Sequence, residues 1–180
     1  GSVDLSKKDL AAIRVIDGEG KFLVPGLIDA HAHILGSHSP YDRPTFFQRD
    51  EFDQLLVNGV TTVRNMKSFV AQIELRDKIN RREVLAPRLN VVSPALDDNK
   101  NVDPNLLKPD DHYYCWLDWS NCALLDFTGI PQLISKFKVQ GYDAVKIREP
   151  MSEEMLFPLV DEIKKQKLLV VGHLYASQAL

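Results

Sequence analysis

An α/β fold built on a parallel sheet is what this sequence predicts, and two observations predict it. Short runs rich in Val, Ile and Leu recur along the chain, and amphipathic helical stretches lie between them. The runs fall at 27–34, 60–66, 88–93, 144–147 and 168–172, each short and rich in Val, Ile or Leu, which suits strands buried on both faces. Strands and helices alternating at this length imply βαβ units with right-handed crossovers. With 44% hydrophobic and 26% charged residues over 180 positions, the chain has the composition of a folded domain with a sizeable core.

In chain order, residues 13–24 alternate loosely around Asp17-Gly18-Glu19-Gly20, which predicts a strand pair or strand edge before Pro25-Gly26. After the first buried run, 47–58 reads as a helix closed by Gly59, and 68–83 as another with Val70, Ile73 and Ile79 on its apolar side. The segment 95–125 is rich in Asp, Asn, Pro and aromatics, and reads as a long excursion over one end of the sheet. A helix over 131–140 starts on Pro131 and stops at Gly141. The clearest helix is 152–165: Ser152 can cap it, Glu153 and Glu154 suit its positive end, Lys164 and Lys165 its negative end, and Leu156, Leu159, Val160 and Ile163 form its stripe.

Several function classes fall away. The net charge of −3 is small and the basic residues are scattered, so no nucleic-acid footprint is visible. No apolar run approaches the roughly 20 residues of a membrane span, so a soluble protein is expected, with a cytoplasmic location favoured. Neither a GxGxxG turn nor a GxxxxGK[ST] loop follows a strand, which removes the nucleotide-binding doubly wound fold. Cys115 and Cys122, seven positions apart, lack metal-knuckle spacing and are too few for a disulfide framework; they read as core or loop thiols.

The sharpest chemical signal is His31-Ala32-His33 at the end of the first run. Side chains two apart on a strand share a face, so both imidazoles can meet one cation, and active sites of parallel barrels gather at strand carboxyl ends. Two histidines hydrogen-bonded in a polar turn would give the same pattern. Lys146 sits inside an apolar run, where an ammonium is costly and its pKa should fall; it either snorkels from the strand end or reacts with carbon dioxide as the free amine. His173 ends the fifth run and, alone, reads as a satisfied core histidine. His38 and His112 lie in polar, loop-like surroundings and read as surface or substrate-facing. Tyr113, Tyr114, Trp116 and Trp119 either line a pocket over the sheet or pack the excursion onto its own domain.

The stretch Val24-Pro25-Gly26-Leu27-Ile28-Asp29-Ala30-His31-Ala32-His33 resembles the PGLID-x-H-x-H signature that opens the barrel in the amidohydrolase superfamily. Gly59-Val60-Thr61-Thr62-Val63-Arg64 looks like the second strand of its imidazolonepropionase-like and prolidase-like members, and Ala86-Pro87-Arg88-Leu89 like the approach to the third. Tyr142-Asp143-Ala144-Val145-Lys146-Ile147 is similar to their D-x-x-K-I strand, whose lysine is carboxylated and bridges two metals. Val171-Gly172-His173 resembles the motif whose histidine holds the second metal. The resemblance thus implies His31 and His33 on one divalent ion, zinc by ligand type, Lys146 as the bridge and His173 on the other.

It also implies a partial (β/α)8 TIM-type barrel, about its first five β/α units, over residues 25–180, with residues 1–24 the remnant of a small N-terminal β-sandwich. The implied activity is hydrolysis of a C–N bond in a cyclic amide or dipeptide-like small molecule by metal-activated water. A further metal-binding histidine and the proton-accepting aspartate belong to later strands in such relatives. The general base is therefore expected beyond Leu180, with no catalytic residue inside these 180 positions, and the expectation is a truncated, nearly inactive piece. Gly1-Ser2 reads as the scar of a cleaved tag. An open barrel edge predicts self-association, and a non-catalytic half-barrel that serves assembly or folding is the rival reading.

Overall fold

The computed structural model describes residues 14, 16–34, 46–98, 102–115, 121–148 and 151–173. His38, Trp116, Trp119, the residues before 14 and those from 174 to Leu180 lie outside them, as does the aspartate expected beyond Leu180. The strands are β1 (Leu27–Ala32), β2 (Val60–Asn65), β3 (Arg88–Asp98), β4 (Tyr113–Cys115), β5 (Asn121–Leu124), β6 (Ala144–Ile147) and β7 (Leu169–Gly172). Of these, β1, β2, β3, β6 and β7 pair in that order, each parallel to the next. Helices α1 (Phe46–Val57), α2 (Val70–Asn80), α3 (Gly129–Gln140) and α4 (Glu153–Lys165) alternate with them. The sheet is curled into a half barrel, which is the predicted partial (β/α)8 architecture. Among the described residues, no helix is long and apolar enough to cross a membrane.

The two faces of the sheet are told apart by their neighbours. Ala32, Val63, Leu89, Val91, Val145 and Ile147 join helix residues Ile73, Leu133, Phe137, Leu159 and Ile163 in the large core. Met66, Val92 and Ala144 form a separate small cluster with Val171 against it. Because Val91 and Val92, or Ala144 and Val145, are successive residues in different clusters, the first cluster covers the helix-facing side and the second the concave side.

Local chemistry sets the helix ends. Gly59 (φ 81°) turns the chain into β2, and Gly141 (φ 95°) ends α3 in the left-handed region, its N–H on the carbonyls of Phe137 and Lys138. Helix α2 starts two residues later than the sequence implies: Ser68 Oγ donates to the Asn65 carbonyl, while Gln72 Oε1 accepts from the Phe69 N–H. Ser152 precedes α4 as expected, but its carbonyl, not its hydroxyl, engages the first turn, receiving Met155 N–H and Leu156 N–H.

Four expectations need correction. The third strand runs to Asp98, not Ser93. Pro94 has no N–H to give a ladder, and the register shift between Val92 and Ala95 absorbs it so that pairing with β6 resumes. The segment beyond it is no mere excursion: β4 and β5 form an antiparallel pair whose second strand adds in parallel to Ala95–Asp98 of β3. Cys115 and Cys122 are not thiols but a disulfide, because the hairpin sets them directly opposite each other, Cα atoms 4.0 Å apart. Before β1, the described residues from Ile16 to Gly26 form a turn in which Lys21 N–H meets the Gly18 carbonyl, and no strand.

Burial of α3 against the sheet dominates the packing. Phe137 is fully buried and meets Tyr142 edge-on with ring centroids 5.4 Å apart. Phe137→Ala is expected to cost about 3–5 kcal/mol in urea unfolding, whereas Val139→Ala on the exposed face of the same helix should stay within about 0.5 kcal/mol. Equal losses would contradict this packing.

Candidate active site at the strand ends

Ala32 points into the helix-facing core, so its neighbours His31 and His33 project from the concave side of β1. Their rings lie 5.4 Å apart, centroid to centroid, and the His31 ring stacks on that of His173 at 6.4 Å and 18°. His173 follows β7, the opposite edge of the parallel sheet, with its N–H on the Ile147 carbonyl. The histidine pair 31/33 and the distant His173 therefore meet at one mouth.

Lys146 shares the concave side with Ala144 and is buried, 3% exposed. Burial first, and then the charges of Arg148 and Lys67, pull its ammonium below the usual lysine range. Its field reaches both His31 and His33. Burial lowers the pKa of each ring, with Lys146 the next cause; His173 and Arg64 add to this at His31, and Asp29 opposes it. Both imidazoles are thus held neutral at neutral pH, the form a metal ligand must have.

The strand ends are fixed by polar residues that the sequence reading passed over. Asn65, fully buried, accepts the Ile34 N–H on Oδ1 (3.1 Å) and donates from Nδ2 to Gln72 Oε1 (3.0 Å), while Met66 N–H binds the Ala32 carbonyl. The chain leaving His33 is thereby tied to β2 and α2. Asn65 shares its face with the core residue Val63, and an amide at that position was the available signal. The Ser93 hydroxyl accepts the Lys146 N–H (3.1 Å). Asp143 pins the register of β6: its Oδ2 accepts the Val91 N–H (2.7 Å) and its Oδ1 receives Arg76, which also donates to the Gly141 carbonyl.

A cleft of about 470 Å³ opens at this mouth, lined by His31, Arg64, Met66 and His173 together with apolar residues of β7 and α4. His112 stands apart: its Nδ1 pairs with Asp126 at 2.8 Å, and Asp126 accepts the Gly129 N–H at the start of α3, which is a structural use. Tyr113 packs against the large core, with the Lys136 ammonium 5.5 Å from its ring centroid.

Among the described residues no group of three or more His, Cys, Asp and Glu side chains is placed to hold a metal ion by itself. The donors that do converge fit a divalent site in kind: neutral imidazoles on two strands and a buried amine that burial disposes towards its uncharged form.

No family model matches the chain. It is 30% identical over 93 residues to an L-hydantoinase of Paenarthrobacter aurescens, a match covering 50% of this chain and 19% of that protein. Among solved structures, a bottromycin amidohydrolase superposes with a TM-score of 0.61 at 21% identity, over 85% of this chain and 28% of that one. A Xaa-Pro dipeptidase with methionine bound in its active site gives 0.56 at 19% identity, over 83% and 43%. The chain spans less than half the length of each of these proteins.

The Asn65 clamp makes a stability prediction. Asn65→Ala leaves the Ile34 N–H without its acceptor and takes one of two donors from Gln72 Oε1, which keeps the Phe69 N–H, and should cost about 1–3 kcal/mol. A double-mutant cycle with Gln72→Ala should show coupling of at least about 0.5 kcal/mol, and strict additivity would contradict the shared network.

Proposed function

We propose that this chain forms part of an amidohydrolase-superfamily domain and that its mouth is one part of a metal-dependent site for hydrolysing a C–N bond in a cyclic amide or dipeptide-like small molecule, a reading supported by the likeness to the hydantoinase and by the half-barrel fold. The carrying observation is the meeting of His31 and His33 with His173, from opposite sheet edges, beside buried Lys146.

In this reading His31 and His33 would hold one divalent cation and His173 a second, and Lys146, as a carbamate, would supply oxygen donors to them. Zinc is the metal that imidazole and carboxylate-type donors favour; the ions supply the Lewis acid that activates water and polarises the amide carbonyl. The chain's own contribution is to keep the imidazoles neutral, to hold the amine of Lys146 in a buried, positively charged setting that favours its free form, and to fix the strand ends through Asn65, Ser93 and Asp143. No catalytic base is assigned up to Leu180, and the reading sets the proton-accepting aspartate beyond it. Metal binding rather than turnover is therefore the testable property of these residues.

The division at residue 24 belongs to the same reading. Leu23 and Val24 are exposed, and the first ladder residue is Leu27. A second reading, an assembly module that associates through its open edges, is favoured by exposed Leu27 and Ile28 on β1 and Leu169 on β7.

Elemental analysis after dialysis tests the metal reading. The wild-type chain should retain zinc, while His31→Ala, His33→Ala and His173→Ala should each weaken its retention at least about tenfold. With carbon-13 bicarbonate, a carbamate resonance should appear in the wild type and vanish in Lys146→Ala. Identical zinc content in wild type and the three histidine variants would remove the site and leave the assembly reading.

A further inference from the structure

The cleft carries more positive charge than the proposed metal ligands account for. Arg64 lies on β2 between Val63 and Asn65, both buried towards the helices, so its side chain belongs to the concave side. There it lines the same cleft as His31, Met66 and His173 and is half-buried. Among the described residues its guanidinium has no hydrogen bond or ion pair. Nearby, Lys67 acts on His33 and Lys146, and Arg148 on Lys146, while at His31 the Asp29 carboxylate opposes the fields of Lys146, His173 and Arg64.

A partly desolvated cation to which the described residues give no ion pair or hydrogen bond is costly, and a ligand that brings an anion recovers that cost. The planar guanidinium fork matches a carboxylate with two parallel hydrogen bonds, a geometry a lysine cannot copy. The remaining walls of the cleft include Ile147, Leu156, Val160 and Val170, which suit an apolar substituent rather than a second charge.

We propose that Arg64 is a specificity-determining residue that receives a carboxylate of the substrate, so that the site selects amides bearing a carboxylate, such as N-acyl amino acids and dipeptide-like compounds, over neutral cyclic amides. The inference rests on the amidohydrolase reading above and narrows its substrate class. It assigns Arg64 to binding and leaves the metal to the histidines and Lys146.

The test titrates the zinc-free, nitrogen-15-labelled chain with N-acetylglycine and, separately, with its neutral counterpart N-acetylglycinamide. In the wild type the Arg64 Nε–H resonance should move and saturate with the acid, which should bind at least about tenfold more tightly than the amide. Followed through the backbone amides of Met66 and Gly172, that preference should disappear in Arg64→Met and in Arg64→Gln and survive in part in Arg64→Lys. Equal binding of the two ligands by the wild type, or an undiminished preference in a folded Arg64→Met or Arg64→Gln, overturns the inference. The wild-type comparison needs no variant and so decides even if these fail to fold. Because no zinc is present, the outcome is independent of the histidine variants: loss of the metal reading leaves an observed acid preference standing, and zinc retained by Arg64→Met with no acid preference in the wild type defeats this inference alone.

Discussion

The curl of the parallel sheet is the constraint on which the site depends. Four ladder spacings separate β1 from β7, so in a flat sheet their ends would stand roughly 19 Å apart; instead the rings of His31 and His173 stack at 6.4 Å. Two edges that never hydrogen-bond to each other are brought face to face across the concave side. Strand twist and the bulky helices packed on the outer side, with Phe137, Leu133, Leu159 and Ile163 fully buried, give the sheet its direction of bending.

The same curl explains where polar groups are tolerated. The outer side is a continuous apolar layer, whereas the inner side carries only a small cluster around Met66, Val92 and Ala144 before giving way to charged and imidazole side chains. Three polar residues at the boundary are answered by partners: buried Asn65 by Ile34 and Gln72, buried Ser93 by Lys146, and half-buried Asp143 by Val91 and Arg76. These bonds fix strand heights, and strand height decides whether residues from β1, β6 and β7 arrive at the same level.

Much of this was legible in the sequence, because the signals were local. Short runs rich in Val, Ile and Leu pointed to all five parallel strands, and Gly59 and Gly141 marked chain reversals that the backbone takes with positive φ. The alternation rule placed His31 and His33 on one side of β1. What stayed hidden was non-local. A proline at 94 looks like a strand end until a bulge with β6 accommodates it. The hairpin of β4 and β5 is too short to show a period, and without it the spacing of Cys115 and Cys122 says nothing about a disulfide. Asn65 and Ser93 reveal their purpose only through backbone partners on other strands, Ile34 and Lys146.

The closeness of residues 31 and 173 tests the central claim most directly. In a His31→Cys, His173→Cys variant with the native disulfide intact, a short bis-maleimide followed by peptide mass spectrometry reports whether the two positions meet. The account predicts an intramolecular link between them in monomeric protein. Links formed only between two chains, or none at all with both thiols reactive, would contradict it.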